Sequence, residues 1–343
     1  MDSSAKKNSS VPQVGVVVIG RNEGAYLETA LDAVIGEGRK IVYVDSGSTD
    51  ESVAIAHRLN IPVIELDPAR PFTAARAYNE GFELLLLQYP TLAFVQFVDG
   101  DCFVHSDWIE MAVNTLSERP KVAILCGHLR EQHRDRSIYH VLMDIEWTQP
   151  VGAVEECAGN AMMRASAFAE VGGFNEQMMA GEEPELSLRM RQAGWQIWRI
   201  DADAASHNSC IDRFSQWWDR CRREGNAYAE AAWLHGFGAE NHRLRHSLRV
   251  VFWGLLPFVA VGLATYSYGW SLLLLLLYVP LWIGVFVRSP IENQLNRTDA
   301  ALYASFCVLG KFPQLLGQLN FFWHLIQQKT PRLIEYRLGS AKK

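Results

Sequence analysis

With 343 residues, the chain is long enough for one large or two modest domains. A formal net charge of −6 gives no global electrostatic argument for nucleic-acid binding, so no nucleic-acid partner is expected. The hydrophobic fraction of 49% is ordinary, but its distribution is not: residues before about Leu248 have a soluble composition, whereas 250–287 contains no Asp, Glu, Lys or Arg.

Six cysteines (Cys102, Cys126, Cys157, Cys210, Cys221 and Cys307) are scattered without a C-x-x-C pair. That spacing suggests neither a disulfide framework nor a zinc site, and a reducing, cytosolic setting is expected for the soluble part. The first residues, MDSSAKKNSSVPQ, lack an apolar core, so no signal peptide is expected and 1–12 reads as a disordered tail.

In chain order, VGVVVI (14–19) is a β-branched run broken by Gly20-Arg21-Asn22-Glu23-Gly24. Apolar residues at Leu27, Ala30, Leu31 and Val34 then follow helical spacing, so the reading is strand, loop, helix. KIVYV (40–44) predicts a second strand ending on Asp45, and 52–59 a second helix. A short strand over 62–66, a helix over 73–87 and a strand over 92–98 follow. Alternating strands and helices imply a parallel sheet with right-handed crossovers, with ligands bound outside the carboxyl ends of the strands.

Three strand ends therefore converge on one rim: Arg21-Asn22-Glu23, Asp45, and Asp99-Gly100-Asp101. Two carboxylates one residue apart at the end of a buried strand are costly unless a cation sits with them. Mg²⁺ or Mn²⁺ suits such a pair, taking one or two carboxylates and completing its shell with water and phosphate oxygens. A plain Asp-Gly turn is the alternative. Neither G-x-G-x-x-G after the first strand nor a G-x-x-x-x-G-K-[ST] loop is present, which argues against a nicotinamide dehydrogenase and an ATPase.

VVVIGRNEGAYLETAL, IVYVDSGSTDESVAIA, FTAARAYNEGF and FVQFVDGDC together resemble, in order and spacing, the nucleotide-binding half of family-two glycosyltransferases. The resemblance implies a GT-A fold, α/β and Rossmann-like with a mostly parallel sheet flanked by helices, and hexosyltransferase-type activity. The family usually ends its second strand on paired aspartates, whereas Ser46 follows Asp45 here, so base contacts through that second position are not carried over. AGNAMMR (158–164) and VGGFN (171–175) are similar to the family's acceptor-side segments.

GEEPEL (181–186) matches the family's acidic motif at the start of a helix, and the resemblance places the general base on Glu183, with Glu182 as runner-up. Helix capping alone also accounts for Glu182, Glu183 and Glu185, since acids complement the positive end of the helix dipole. His207 falls where related enzymes place a metal- or diphosphate-contacting histidine; a purely structural histidine is the alternative. The implied metal ligands are thus Asp99, Asp101 and His207. Arg21, Asn22, Glu23, Asp45, Arg76, Asp99, Gly100, Asp101 and Arg220 are the implied nucleotide-sugar contacts. Arg220 belongs to an arginine-rich segment, FSQWWDRCRREGNAY (214–228), that reads either as a lid over the diphosphate or as an amphipathic helix beside lipid headgroups.

These residues suggest a domain over 13–235, divided into a nucleotide-sugar half (13–105) and an acceptor half (106–235), followed by a membrane region over 236–343. The stretches 250–268 and 270–287 are each about as long as a bilayer-spanning helix. Arg243, Arg245 and Arg249 before them and Arg288 after them predict an in-out-in hairpin. The stretch 300–328, apolar but interrupted by Lys311, Gln314, Gln318 and Asn320, is expected to lie in the interface.

The expected function is an inverting, metal-dependent transfer of sugar from a nucleotide-diphosphate sugar to a polyprenyl-linked acceptor. It would take place at the cytosolic face of a bacterial inner membrane, in exopolysaccharide or cell-envelope glycan synthesis. A polyprenyl-phosphate sugar synthase and a processive polysaccharide synthase are the alternatives within enzymes. A non-catalytic membrane scaffold is the alternative of another class.

Overall fold

The computed structural model describes residues 12–157, 159–238, 240–292 and 295–327. Apart from Pro12, the tail expected over 1–12 lies outside the described residues.

The first half follows the predicted alternation. β1 (Val14–Gly20) leads into α1 (Ala25–Val34), β2 (Lys40–Asp45), α2 (Ser52–Arg58), β3 (Val63–Glu65), α3 (Ala74–Gln88) and β4 (Phe94–Asp99). α1 buries Leu27, Ala30, Leu31 and Val34, the residues whose spacing predicts it. α3 begins where the Thr73 side chain accepts from the Arg76 N–H, which satisfies one of the helix's orphan donors.

The second half contains β5 (Cys102–Val104), α4 (Trp108–Glu118), β6 (Val122–Glu131), α5 (Ile138–Trp147), β7 (Gly152–Ala153) and β8 (Met162–Arg164). α6 (Ala165–Glu170), α7 (Glu182–Gln192), β9 (Gln196–His207) and α8 (Phe214–His235) follow.

All strands form one sheet in the order β3-β2-β1-β4-β8-β6-β9-β5, with β7 also on β9. β1 lies parallel between β2 and β4, and β2 pairs parallel with β3. The expectation of a parallel sheet needs correcting beyond β4. β8 runs antiparallel to both β4 and β6, and β5 and β7 run antiparallel to β9; only β6 and β9 are parallel. β5 follows β4 through a tight turn, not a helical crossover, and antiparallel pairs can follow so short a return.

Both faces of the sheet are covered. Along β1, Val17 and Ile19 join a core with α3 and Phe168, while Val14, Val16 and Val18 join a second core with α1 and Trp108. This is the period-two alternation of a strand buried on both sides. α3 lies so close to the sheet that a Cβ on Gly81 would overlap Val17.

Cys126 on β6 and Cys157 form a disulfide, with Cα atoms 6.2 Å apart and 31 residues of separation. This corrects the reading of six unpaired cysteines: the sheet, not the sequence spacing, brings these two together.

The C-terminal helices are α9 (Leu244–Gly262), a tight 3-10 stretch Trp270–Leu277 running into α10 (Tyr278–Glu292), α11 (Arg297–Leu309) and α12 (Lys311–Ile326). Leu244–Gly262 and Trp270–Ser289 are long and apolar enough, by length and composition, to cross a membrane. The first begins and ends earlier than the apolar run suggests, and 300–328 is divided at Gly310 into two helices. α11 packs on the catalytic half through Phe306, whose ring lies 4.8 Å from Trp217 and 6.0 Å from Tyr139. α12 runs along α8 so tightly that Cβ atoms on Gly225 and Gly317 would overlap the backbones of Gln314 and Arg222.

Candidate active site

β1, β2 and β4 end side by side, because Gly20 pairs with Asp45 and Ile19 with Asp99 in parallel register. The loops after them are stitched together. The Asn22 N–H donates to Ser48 Oγ at 2.9 Å, and the Thr49 N–H donates to Asn22 Oδ1 at 2.7 Å. The Gly100 N–H donates to the Ile19 carbonyl at 2.7 Å, and a Cβ there would stand 2.9 Å from that same oxygen. Gly100 is therefore required by close backbone approach. Glu23 lies over this turn, its Cγ within about 3 Å of where Cβ atoms on Gly20 and Gly100 would be.

Asp45 is 1% exposed, and its oxygens are taken up locally. They accept from the Tyr43 and Ser48 hydroxyls and from the Gly47 and Ser48 N–H groups at 2.5–2.9 Å. It shapes the loop after β2. Arg21, whose guanidinium carbon is 5.7 Å from the centre of the Phe72 ring, stands at the open side of the rim.

Asp99 and Asp101 project from the turn in different settings. Asp99 Oδ1 accepts from the Tyr78 hydroxyl at 2.9 Å, and the Asp99 N–H donates to Asn160 at 3.3 Å. Burial and then the Asp99 charge push the Tyr78 phenol well above its ordinary range, so it remains a donor. Asp101, 4% exposed, meets His207 Nε2 at 3.1 Å. Antiparallel pairing of β5 with β9 sets His207 opposite Cys102, which brings imidazole, thiol and carboxylate donor atoms within 4.8 Å of one another. The Asp101 carboxylate and the His207 imidazole offer the oxygen and nitrogen donors that Mn²⁺ accepts.

On the acceptor side, Gly181 in the left-handed conformation (φ 82°) starts α7 and places three acids in its first turn. They separate by environment. Glu185 is saturated: both oxygens receive Arg189, at 2.8 and 2.7 Å, and Oε1 also meets His235 at 3.1 Å. Glu183 faces Asp99 across Gly159, with a Cβ there standing 3.2 Å from Asp99 Oδ2 and 3.3 Å from Glu183 Oε1. Burial, then the charges of Glu182 and Asp99, push the Glu183 carboxyl well above the usual range. Glu182 is buried beside it and is likewise pushed up, chiefly by burial.

Two of the sequence candidates are engaged by other groups. Arg76, 3% exposed, donates to Glu80 at 2.7 Å and to the Asp67, Arg70 and Pro71 carbonyls, so it clamps the 67–71 loop. Arg220 pairs with Glu146 at 2.8 Å. From the same helix, Arg223 donates to the Met179 carbonyl at 3.3 Å and acts electrostatically on both Glu182 and Glu183. The arginine cluster signals such a residue, but only the docking of α8 selects which one. Asn79 is a second residue that sequence reasoning missed. It exchanges 2.9 Å hydrogen bonds with the Phe174 N–H and carbonyl, pinning the VGGFN segment onto α3.

The site thus sets an acidic turn at the end of a GT-A-like α/β sheet opposite the half-buried carboxylate of Glu183. The glycosyl transferase family 2 model matches residues 15–172. Among curated proteins, the chain is similar to glycosyltransferase AglE of Haloferax volcanii (24% identical, 55% of this chain and 64% of that one). It is also similar to succinoglycan biosynthesis protein ExoA of Rhizobium meliloti (28% identical, 54% and 60%). O-antigen chain rhamnosyltransferase RfbN of Salmonella typhimurium is 26% identical over 67% of this chain and 78% of its own. The matches thus span under two thirds of the length of the first two. Among solved structures, a mannosyltransferase from Pyrobaculum calidifontis, in complex with GDP-Man and Mn²⁺, shares the fold. Its TM-score is 0.60 at 17% identity, covering 92% of this chain and 88% of that one. Residues 15–172 of the chain are thus similar to glycosyltransferase family 2.

Proposed function

We propose that this chain is a glycosyltransferase that moves a sugar from a nucleotide-diphosphate sugar to a lipid-linked acceptor hydroxyl at a membrane surface, with inversion at the sugar C1. The observation that carries the reading is the facing of Glu183 and Asp99 across Gly159, beside the Asp101–His207 pair. Glu183 takes the proton of the acceptor hydroxyl as its oxygen bonds to C1, and the C1–O bond to the diphosphate breaks on the opposite side. A positioned base of this kind contributes about 10²–10⁴-fold. A divalent cation held by Asp99, Asp101 and His207 would stabilise the charge developing on the leaving diphosphate as a Lewis acid. Arg223, on the catalytic face of α8, adds positive charge near the same carboxylates.

The lipid-linked acceptor is supported by the two apolar helices and by relatives named for succinoglycan and O-antigen synthesis. The hairpin would hold the catalytic half against the cytosolic leaflet. The test measures nucleoside diphosphate release from a panel of sugar nucleotides, in membranes supplied with lipid extract and Mg²⁺ or Mn²⁺. Asp101→Ala is expected to abolish release and weaken metal-dependent nucleotide binding. Glu183→Gln is expected to abolish release while leaving binding nearly intact. Equal loss of nucleotide binding in both variants would remove Glu183 from the role of base.

A further inference from the structure

α12 carries apolar residues on both faces, burying Leu315 and Phe321 together with two glutamines. Its glutamines point into the protein: Gln318, 1% exposed, accepts from Ser247 Oγ at 3.0 Å and donates to the Ser247 carbonyl at 3.2 Å. Gln314 donates to Glu224 at 2.9 Å and accepts from Lys311 at 3.2 Å. The outward stripe is Leu316, Leu319, Trp323 and Ile326, flanked by Phe322. A helix facing water keeps its outer face polar. The stripe continues onto the end of α8, where Trp233 packs 6.5 Å from Phe322 and, beyond the helix, Phe237 is 89% exposed. Single exposed apolar residues are ordinary, whereas a continuous band over two helices marks an interaction surface.

We propose that the outer face of α12 and the Trp233–Phe237 end of α8 form an interfacial surface seated at the headgroup boundary of a lipid bilayer. It is a contact additional to the two long apolar helices. Two observations favour lipid as the occupant. The helix that carries the band packs against both of those helices, since Leu315 on its inner side meets Gly254 of α9 and the Phe312 ring lies 6.5 Å from Tyr278 of α10. Arg245 and Arg249, exposed on the adjoining turns of α9, complement anionic headgroups. Because α12 meets α8 backbone to backbone, the same contact would hold the helix that carries Arg223 at a set height over the membrane.

The test uses the full chain in phosphatidylcholine–phosphatidylglycerol vesicles. Leu319→Cys, Trp323→Cys and Phe237→Cys are labelled one at a time with bimane, Leu87→Cys on α3 serves as the water-facing control, and the unsubstituted chain supplies the background. Lipid carrying a shallow nitroxide is expected to quench the three band positions several-fold more than position 87, with aqueous iodide showing the opposite order. Iodide quenching of the band equal to that at 87 overturns the proposal. Protection from both quenchers, with disulfide cross-linking of Trp323→Cys between copies, overturns it in favour of a second copy. Thermal unfolding of each labelled variant checks folding. The readout needs no turnover, so failure of the catalytic reading leaves it intact.

Discussion

Glu183 and Glu230 show how burial acts on single carboxyl groups. In the proposed role of base Glu183 must be ionised to accept a proton, and its environment favours the acid. Transfer should therefore fall as pH drops through a value above the usual ~4.5 for a glutamate. Glu182→Gln removes the neighbouring like charge, so the acid limb of the kcat–pH profile is expected to move to lower pH. An unmoved limb would mean that the two carboxylates do not interact. Glu230, 8% exposed on α8, is pushed up to about 7 by burial, with Glu182 adding to the rise. Its folded value exceeds its unfolded one, so its contribution to stability is complete below the unfolded value and is lost as pH rises through about 7. Glu230→Gln is expected to stabilise the protein at pH 8 relative to pH 5, by about 1–3 kcal/mol. Thermal unfolding at the two pH values measures the difference, and a pH-independent effect would contradict the burial argument.

At the scale of elements, glycines decide how closely helices approach. Gly225 and Gly317 let α8 and α12 meet backbone to backbone, whereas Gly284 on α10 has open space around its Cβ position. Gly225→Ala forces overlap with Gln314 and should cost about 1–3 kcal/mol. Gly284→Ala should be neutral or stabilising by about 0.5–1 kcal/mol, since alanine restricts the unfolded chain. Chemical denaturation of the two variants, with limited proteolysis after α8, separates a packing role from a general helix-propensity effect. Loss of stability in both would refute the close-packing account.

For the whole molecule, the two long apolar helices set the expected physical behaviour. No apolar residue of Trp270–Ser289 is buried, and exposed leucines line Leu272–Leu277. Alkaline carbonate washing should leave the protein in the membrane pellet, and detergent should be needed to extract it. Release by carbonate alone would remove the hairpin as an anchor while leaving the catalytic arrangement untouched.

The sequence alone was enough to place β1 to β4, because a period-two or continuous apolar run flanked by glycine turns is a local signal. Rossmann-type alternation and the Asp99-Gly100-Asp101 turn were legible for the same reason. So were the two apolar helices, since charge-free stretches need no partner to be seen. What the tertiary structure decided depends on distance in space. It turned β8 antiparallel, joined Cys126 to Cys157 across 31 residues, and set His207 beside Asp101 through the register of β5 on β9. It also sorted chemically equal residues. Of three acids in one turn, Arg189 and His235 occupy Glu185 and leave Glu183 facing Asp99; of the arginines on α8, Arg220 is held by Glu146 and Arg223 turns to the site. Local patterning specifies which residue types occur and in which elements. Which atom finds which partner is settled only when those elements pack.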